Sequence, residues 1–254
     1  MYEIPDLLEF LKTGAHFGHQ VSKWHPKMKP YLFGSRNGIH IINLEQTVVK
    51  LKEALDAARD MTAKGGVIVF LGTKRQAAPI VEKYAKACAA PYITTRWLGG
   101  TFTNFPELSK LIKKLNEYRT KRDTGGFDKY TKKERVVIDR EIQDMERKVG
   151  GIAPLTKLPE AIFVIDAKHE KTAIDEARAK KVPIFALIDS NINPEDITYG
   201  IPANDDAVKS IELFTRLFSE AVTEGRRLRE KDVAVKKAEA VKIESGEPAR
   251  VITA

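Results

Sequence analysis

A single cysteine, Cys88, occurs among the 254 residues of this chain. One thiol cannot build a disulfide framework or a zinc site made of several cysteines, and it is typical of a reducing compartment. Apolar runs are short, and none approaches the roughly 18 residues of a membrane span. Residues 1–6 have neither the pattern of a secretory leader nor the composition of a transit peptide. These absences predict a cytoplasmic protein without a membrane segment.

Motifs of the common hydrolases and metalloproteases are absent as well. The sequence contains no H-E-x-x-H, no G-x-S-x-G and no cysteine–histidine nucleophile pair. Gly72 opens a turn with two cations, Lys74 and Arg75, but the spacing of a P-loop is missing. We therefore predict that the protein is not an enzyme. The alternative is a nucleotide-binding enzyme or sensor, because a glycine turn at a helix start can hold a phosphate.

Positive charge is what the sequence has in excess. The formal net charge is +8 at pH 7 and the pI is near 9.3. Such a balance favours polyanionic partners, nucleic acid above all. Hydrophobic residues make up 43% of the chain, which is enough for a sizeable core. The composition therefore predicts a folded basic protein with a nucleic-acid partner.

Short β-branched runs alternate with amphipathic helical patterns over most of the chain. Apolar runs at 65–72, 161–166 and 182–189 are typical of strands buried on both faces of a parallel sheet. Residues 44–61 and 172–180 have the apolar spacing of helices. This alternation predicts an α/β domain with one parallel sheet and helices on both faces.

The region before the first of these strands follows a different pattern. Glycines and prolines between residues 14 and 30 predict an ordered loop. Asn37-Gly38 lies between two apolar runs and is a strong signal for a β-hairpin, because both residues tolerate positive φ. Arg36 comes directly before this predicted turn.

Two series of apolar residues at heptad spacing occupy residues 105–149. The series are Leu108, Leu111, Leu115, Tyr118 and Ile138, Ile142, Met145, Val149. Gly125-Gly126 separates them, so the pattern predicts an inserted antiparallel coiled-coil hairpin. Its apolar stripe is narrow, which indicates an arm that projects from the α/β domain formed by residues 1–104 and 150–225. The alternative is a solvated helical face with no partner.

The last part of the chain begins with a helical pattern that runs to about Glu224. Asp205 and Asp206 precede it, and we interpret them as caps that accept from free N–H groups. From Gly225 the apolar periodicity is lost. Residues 226–254 are predicted to form a charged, flexible tail, which either contacts RNA or only aids solubility.

Basic side chains occur beside aromatic ones in several predicted loops, and this combination suits phosphates and bases. Arg96 and Trp97 lead into Gly99-Gly100, where the backbone can approach another surface closely. The alternative for Trp97 is that its ring only fills the core. The candidate RNA-binding residues are Trp24, Lys27, Lys29, Arg36, Lys74, Arg75, Arg96, Trp97, Lys110, Lys113 and Lys114.

A second candidate site consists of carboxylates and imidazole at one edge of the predicted sheet. Asp189 ends a strand at the carboxyl edge, where open α/β sheets place ligands, and Asp205 follows the last strand. His19 lies in the loop predicted for residues 14–30. Because imidazole and carboxylate groups are metal ligands, His19, Asp189 and Asp205 are candidates for binding a divalent ion. No motif in the sequence requires a cofactor.

Six longer motifs of the sequence form a recognisable series. They are GAHFGH at 14–19, WHPKMKPY at 24–31, RNGIHII at 36–42, GTKRQA at 72–77, RWLGGT at 96–101 and IPANDD at 201–206. In order and spacing they closely resemble the bacterial-type small-subunit ribosomal protein S2 family. The resemblance covers roughly residues 3–225 and is far more specific than a single glycine fingerprint.

The resemblance implies a flavodoxin-like α/β domain with an inserted coiled-coil hairpin. It also implies a position between the head and body of the small ribosomal subunit, in contact with its ribosomal RNA. The family further helps to dock the mRNA-binding small-subunit protein one. The expected partners are therefore small-subunit rRNA and neighbouring ribosomal proteins, with no membrane and no homo-oligomer.

Overall fold

The computed structural model describes residues 2–244, with side chains up to residue 234. Its strands are β1 (Phe17–Gln20), β2 (Leu32–Arg36), β3 (Ile39–Ile42), β4 (Ile68–Leu71), β5 (Tyr92–Ile93), β6 (Ala161–Val164), β7 (Ile184–Ile188) and β8 (Tyr199–Pro202). Its α-helices are α1 (Leu7–Thr13), α2 (Leu44–Ala63), α3 (Ala78–Ala87), α4 (Phe105–Asp123), α5 (Lys132–Val149), α6 (Lys171–Ala179) and α7 (Val208–Glu244). Short 3-10 turns cover Val21–Lys23, Pro26–Tyr31, Gly150–Ile152 and Pro194–Asp196.

Strands β4 to β8 form one parallel sheet in the spatial order β5-β4-β6-β7-β8. Numbered along the chain this order is 2-1-3-4-5, which is that of flavodoxin-like folds. The three apolar runs predicted as strands supply β4, β6 and β7, and every residue of these strands is buried. The α/β prediction is confirmed.

Two layers of core lie on the two faces of this sheet, because successive strand residues point to opposite sides. Phe70, Phe163 and Phe185 face the layer of α1, α2, α3 and α7. Phe218 of α7 stacks on Phe163 there, with ring centroids 4.0 Å apart. The alternate strand residues, such as Val69, face the layer that contains α4, α5 and α6. Helices therefore cover both faces, as the sequence predicts.

A separate antiparallel sheet has the order β1-β3-β2. The Asn37-Gly38 hairpin is confirmed, with φ of 52° and 75° at these two residues. The prediction that residues 14–30 form only a loop is wrong, because Phe17–Gln20 pair with β3. A strand of four residues next to glycines is too short to show the alternation of apolar and polar residues that predicts a strand. Hydrogen bonding to β3 gives it its regular structure.

Helices α4 and α5 of the predicted arm bury their apolar residues near the sheet. Leu115 and Ile142 are at most 1% exposed, whereas Val137 is 57% exposed. The ion pairs Lys114–Glu141 and Arg119–Glu146 join the helices. From the first pair to the second, the residue number increases on both helices. In two antiparallel helices that lie side by side, the number would increase on one helix and decrease on the other. The coiled-coil pairing of the arm therefore stays a prediction.

Helix α7 is longer than predicted. It continues past the expected end at Glu224 to Glu244, so the expected flexible tail is helical over 226–244. Residues 245–254 lie outside the described part of the chain. Gly225 does not break the helix, because α2 packs against it, and good helix formers follow. Neither α7 nor any other described helix has the length and apolar character of a membrane span.

Candidate nucleic-acid interface and acidic cluster

The carboxyl edge of the parallel sheet brings together loops that are far apart in sequence. The turn after β4 carries Lys74 and Arg75, and the loop after β5 carries Arg96. Asp166 follows β6, and Asp189 follows β7. This is the edge at which open α/β sheets place ligands.

One buried carboxylate holds the loop after β5. Glu176 of α6 is 9% exposed and accepts hydrogen bonds from the amides of Gly100 (2.8 Å), Phe102 (3.0 Å) and Thr103 (3.2 Å). It also accepts from the indole Nε1–H of Trp97 (3.1 Å) and from the Thr103 hydroxyl (3.2 Å). Burial raises the pKa of Glu176, but these hydrogen bonds lower it by more, so the net shift is downward. The carboxylate therefore fixes the shape of the loop.

Trp97 is part of the core and not of a stacking surface. Its side chain is 6% exposed and meets Phe102 edge-on, with centroids 5.0 Å apart. The RNA-stacking interpretation of Trp97 is wrong for this conformation, and the alternative that its ring fills the core is confirmed. Arg96 is exposed next to it and has no carboxylate partner among the described side chains.

The turn after β4 is also held by a carboxylate. The Thr73 amide and hydroxyl both donate to Glu170 Oε1, at 3.0 and 2.5 Å. Helix α3 begins only at Ala78, so this turn does not open the helix directly, as the sequence suggested. An anion at this turn would have to displace Glu170, which disfavours a nucleotide-binding site here. Arg75 takes no part in these contacts and is exposed.

A cluster of titratable groups lies beside that turn. Lys74 Nζ contacts Asp166 Oδ2 at 2.9 Å and also Asp206. His19 Nδ1 lies 2.9 Å from Asp189 Oδ2, and its Nε2 lies 3.6 Å from Asp206 Oδ2. Burial acts to lower the pKa of Lys74, but the two aspartates raise it by more. The hydrogen bond to Asp189 raises the pKa of His19 against the effect of burial.

Asp205 is the least satisfied member of this cluster. It is 2% exposed, and its Oδ1 has no hydrogen-bond partner among the described residues. Burial, reinforced by Asp166 and Asp189, raises the pKa of Asp205 well above its usual range. A buried carboxylate oxygen without a donor costs free energy unless a proton or cation reaches it.

The arrangement changes the predicted metal ligand set. Ligand atoms of His19, Asp205 and Asp206 lie within 4.8 Å of one another. Asp189 Oδ1 accepts instead from the amides of His19 and Ser190. Its other oxygen faces the His19 ring, so Asp189 orients this histidine rather than joining the set. Asp206, which the sequence prediction did not include, completes this group, and metal binding itself stays a prediction.

The capping interpretation of Asp205 and Asp206 is wrong. Asn204 Oδ1 accepts from the amides of Asp206 (2.8 Å) and Ala207 (3.1 Å), directly before α7. These amides belong to a turn before the first helical residue, Val208, and no described N–H group of the helix donates to either aspartate. Both aspartates are therefore available to the cluster.

The remaining candidate RNA-binding residues differ in whether a carboxylate already pairs with them. Lys27 pairs with Glu195, Lys110 with Glu107 and Lys114 with Glu141. Trp24 is half-buried beside the His40 ring, with centroids 5.2 Å apart. Among the side chains that the structure describes, five of the candidate cations are exposed with no carboxylate partner: Lys29, Arg36, Arg75, Arg96 and Lys113.

Sequence reasoning missed both carboxylates that hold these loops. The available signal was faint: Glu176 lies among Ala173, Ile174 and Ala177 on the buried face of α6. A single acidic residue on an apolar helix face indicates a buried partner without naming it.

Comparisons with known proteins agree with the resemblance seen in the motifs. The family profile described as ribosomal protein S2 matches residues 10–225. The small ribosomal subunit protein uS2 of Chloroherpeton thalassium is 46% identical over 226 residues, covering 89% of this chain and 90% of the relative. The protein of the same name from Chlorobaculum parvum is 44% identical over 229 residues, covering 90% and 91%. The chain therefore belongs to the ribosomal protein S2 family and is a structural ribosomal protein rather than an enzyme.

Proposed function

We propose that this protein is a constituent of the small ribosomal subunit that binds small-subunit rRNA between head and body. The observation that carries the RNA contact is the unpaired charge at the carboxyl edge of the sheet. Arg75 and Arg96 are both exposed there, and neither has a carboxylate partner among the described side chains. Guanidinium groups match phosphate oxygens in geometry and charge. A cytoplasmic location on the ribosome follows from this assignment.

Replacing both Arg75 and Arg96 with glutamine tests the RNA contact. The affinity falls as salt rises, and each lost phosphate contact reduces the steepness of the plot of log affinity against log salt by about 0.7 to 0.9. The pair should therefore lose roughly 25-fold in affinity for a small-subunit rRNA transcript near 0.1 M salt. Filter binding over a salt series gives both quantities.

The matched control is Lys83→Gln with Lys86→Gln, because both ammonium groups already face carboxylates, Glu212 and Glu82. It removes the same charge and should change the slope little. An unchanged slope in the arginine variant would remove these two residues from the RNA surface. Thermal stabilisation of the wild type by a nucleotide, without RNA binding, would instead favour the enzyme or sensor alternative.

The organisation into an α/β domain of residues 1–104 and 150–225 and an arm of residues 105–149 belongs to the same proposal. Lys113 is exposed on α4 with no carboxylate partner in the described chain, so the arm offers a further cation to RNA. The 124–131 connection and the start of α5 are largely exposed, which suits an element that grips a second surface.

Docking of the mRNA-binding protein one is proposed for the exposed apolar side chains near the amino terminus. Phe33 of β2 is 82% exposed, and Leu8 and Phe17 are 61% and 47% exposed. Phosphates offer nothing to bury such side chains, whereas a protein partner does. Phe33→Ser should weaken capture of purified protein one by roughly tenfold or more, since burying one phenylalanine contributes about 1.5–3 kcal/mol. Equal capture by both forms would move the docking surface elsewhere.

A divalent metal ion is proposed for His19, Asp205 and Asp206. The residues fit such an ion, because the unpartnered Oδ1 of Asp205 is buried within ligand distance of the other two groups. Imidazole and carboxylates are suitable ligands, and Asp189 would hold the His19 ring in place. The role of the ion would be to join β1 to the loop before α7, with no part in catalysis.

Elemental analysis of the native protein should give about one divalent ion per chain. Adding zinc to the metal-free wild type should raise its melting temperature, and Asp205→Asn should remove that increase. In a chelator, Asp205→Asn should be at least as stable as the wild type, because it removes a buried carboxylate that lacks a donor. No metal in the native protein, together with no response to zinc, would end this proposal.

A further inference from the structure

A second group of cations lies at the amino edge of the parallel sheet, opposite the edge that holds Arg75 and Arg96. Helix α7 starts next to Asp206 at the carboxyl edge and crosses the sheet on the face of α2. Val208 and Arg226 are separated by about 27 Å along a helix of this length. The first turns beyond Gly225 therefore lie at the far edge, next to the connection between α2 and β4.

The amino-edge cluster, as we name it, consists of Lys64, Arg226, Arg227 and Arg229. Arg226 and Arg229 line one groove together with the Gly65-Gly66 connection before β4. Gly65 has a φ of 88°, and the Arg229 guanidinium carbon lies 2.9 Å from where a Cβ of Gly65 would be. A glycine at this position thus leaves the space that the guanidinium group occupies.

None of these four cations has a carboxylate partner among the side chains to residue 234. Acidic groups lie nearby: Asp60 pairs with Arg59, and Glu230 lines the same groove as Arg226 and Arg229. Glu220 and Glu224 line a neighbouring groove with Arg227. Arg226 and Arg229 line one groove, while Arg227 lines the neighbouring one. Like charges near one edge of the sheet repel one another, and a bound anion would relieve that repulsion. Lys64 also ends α2, where the helix dipole favours a cation.

Phosphate groups of nucleic acid suit this surface best. Three of the four cations are arginines, which bind phosphate through paired N–H groups. The sequence of the same helix has seven lysines and arginines against four acidic residues over 226–244, so this part of α7 carries a net positive charge.

We propose that the amino-edge cluster binds the phosphates of an RNA segment distinct from the one bound at the carboxyl edge. The inference rests on the proposed rRNA-binding function and adds that the protein contacts RNA at both ends of its sheet. It assigns a role to the first turns of what the sequence presented as a flexible tail.

The test is an Arg226→Gln, Arg227→Gln, Arg229→Gln variant of the full chain, measured with a small-subunit rRNA transcript over a salt series. Three lost phosphate contacts should lower the salt slope by about 2 to 2.7 and the affinity near 0.1 M salt by roughly 100-fold. A control with Lys50→Gln, Lys83→Gln and Lys86→Gln loses the same charge from lysines already paired with Glu53, Glu212 and Glu82. When the triple variant is combined with Arg75→Gln and Arg96→Gln, the losses in binding free energy should add, because the amino-edge and carboxyl-edge residues are far apart.

Three outcomes separate the possibilities. If the wild type binds the transcript and the triple variant keeps the same affinity and slope, the inference is wrong while the proposed function stands. The same holds if the control variant loses as much as the arginine variant, or if the variant loses only binding to anionic vesicles or an acidic protein. If the wild type shows no salt-dependent RNA binding at all, the proposed function itself fails.

Discussion

Glu176→Ala is expected to lower the free energy of unfolding by about 3–5 kcal/mol, which is among the largest effects of any single substitution here. The substitution leaves the buried Phe102 amide and Trp97 indole, and the half-buried hydrogen bonds of the Gly100 and Thr103 amides, without their acceptor. Urea unfolding at neutral pH measures the loss.

The matched control is Glu117→Ala, which removes an exposed glutamate of α4 that makes no described contact. It should cost less than about 0.5 kcal/mol, as surface substitutions usually do. A double-mutant cycle with Trp97→Phe isolates the indole contact. The two substitutions should be clearly non-additive, because both remove the same hydrogen bond. A loss below about 1 kcal/mol for Glu176→Ala would show that water replaces the carboxylate in the loop.

The lowered pKa of Glu176 makes its contribution dependent on pH in a defined direction. The folded-state pKa lies below the usual 4.5, so the stabilisation is fully present above that value. It is lost as the pH falls through the lowered folded-state pKa. The difference in unfolding free energy between the wild type and Glu176→Gln should therefore be constant near neutral pH and shrink below about pH 4.5. A difference that grows on acidification would contradict this assignment.

Gly225→Ala is expected to destabilise the protein by about 2–4 kcal/mol. A Cβ at this position would lie 1.9 Å from Thr62 Oγ1 and 2.3 Å from the Arg59 carbonyl oxygen, so α7 and α2 would have to move apart. This expected destabilisation is opposite to the effect of the same substitution in an exposed helix, where alanine is favoured over glycine by about 1 kcal/mol. Thermal and urea unfolding measure the change.

Two further variants test the cause of that loss. Thr62→Ala in the Gly225→Ala background should recover only part of the stability, because the clash with the Arg59 carbonyl remains. Gly99→Ala serves as the control, since no described atom lies within 4 Å of where its Cβ would be and its backbone needs no positive φ. It should change stability by less than about 0.5 kcal/mol. A stabilised Gly225→Ala protein would mean that α7 does not pack closely on α2 at this point.

Several elements of the fold could be read from the sequence because their signals are local. The buried strands β4, β6 and β7 are continuous apolar runs, and Asn37-Gly38 carries its turn in its own φ preferences. Strand β1 was not predicted because a strand of four residues has too short a pattern, and it becomes regular only by hydrogen bonding to β3. The sequence prediction ended α7 too early because a glycine usually weakens a helix. Here Gly225 is needed because α2 packs so closely that a Cβ would clash with it.

The candidate sites divide in the same way. The exposure of Arg75 and Arg96 could be expected from their residue type and loop position, and their contact with RNA stays a prediction. Trp97 was assigned a stacking role that its burial rules out. Asp205 and Asp206 were assigned a capping role, but they belong to the acidic cluster, and Asn204 closes the turn before α7. In each case several residues of suitable chemistry stood next to one another, and sequence order does not say which one points inward.

The sequence by itself determined the strand and helix alternation, the excess of positive charge and the motifs of the family. These follow from side-chain chemistry and from spacing along the chain. Only the tertiary structure decided that Glu176 holds the Arg96 loop, that Asp189 orients His19, and that Arg229 lies against Gly65. Each of these contacts joins residues more than 70 positions apart, and such pairs meet only once the sheet order and the course of α7 are set.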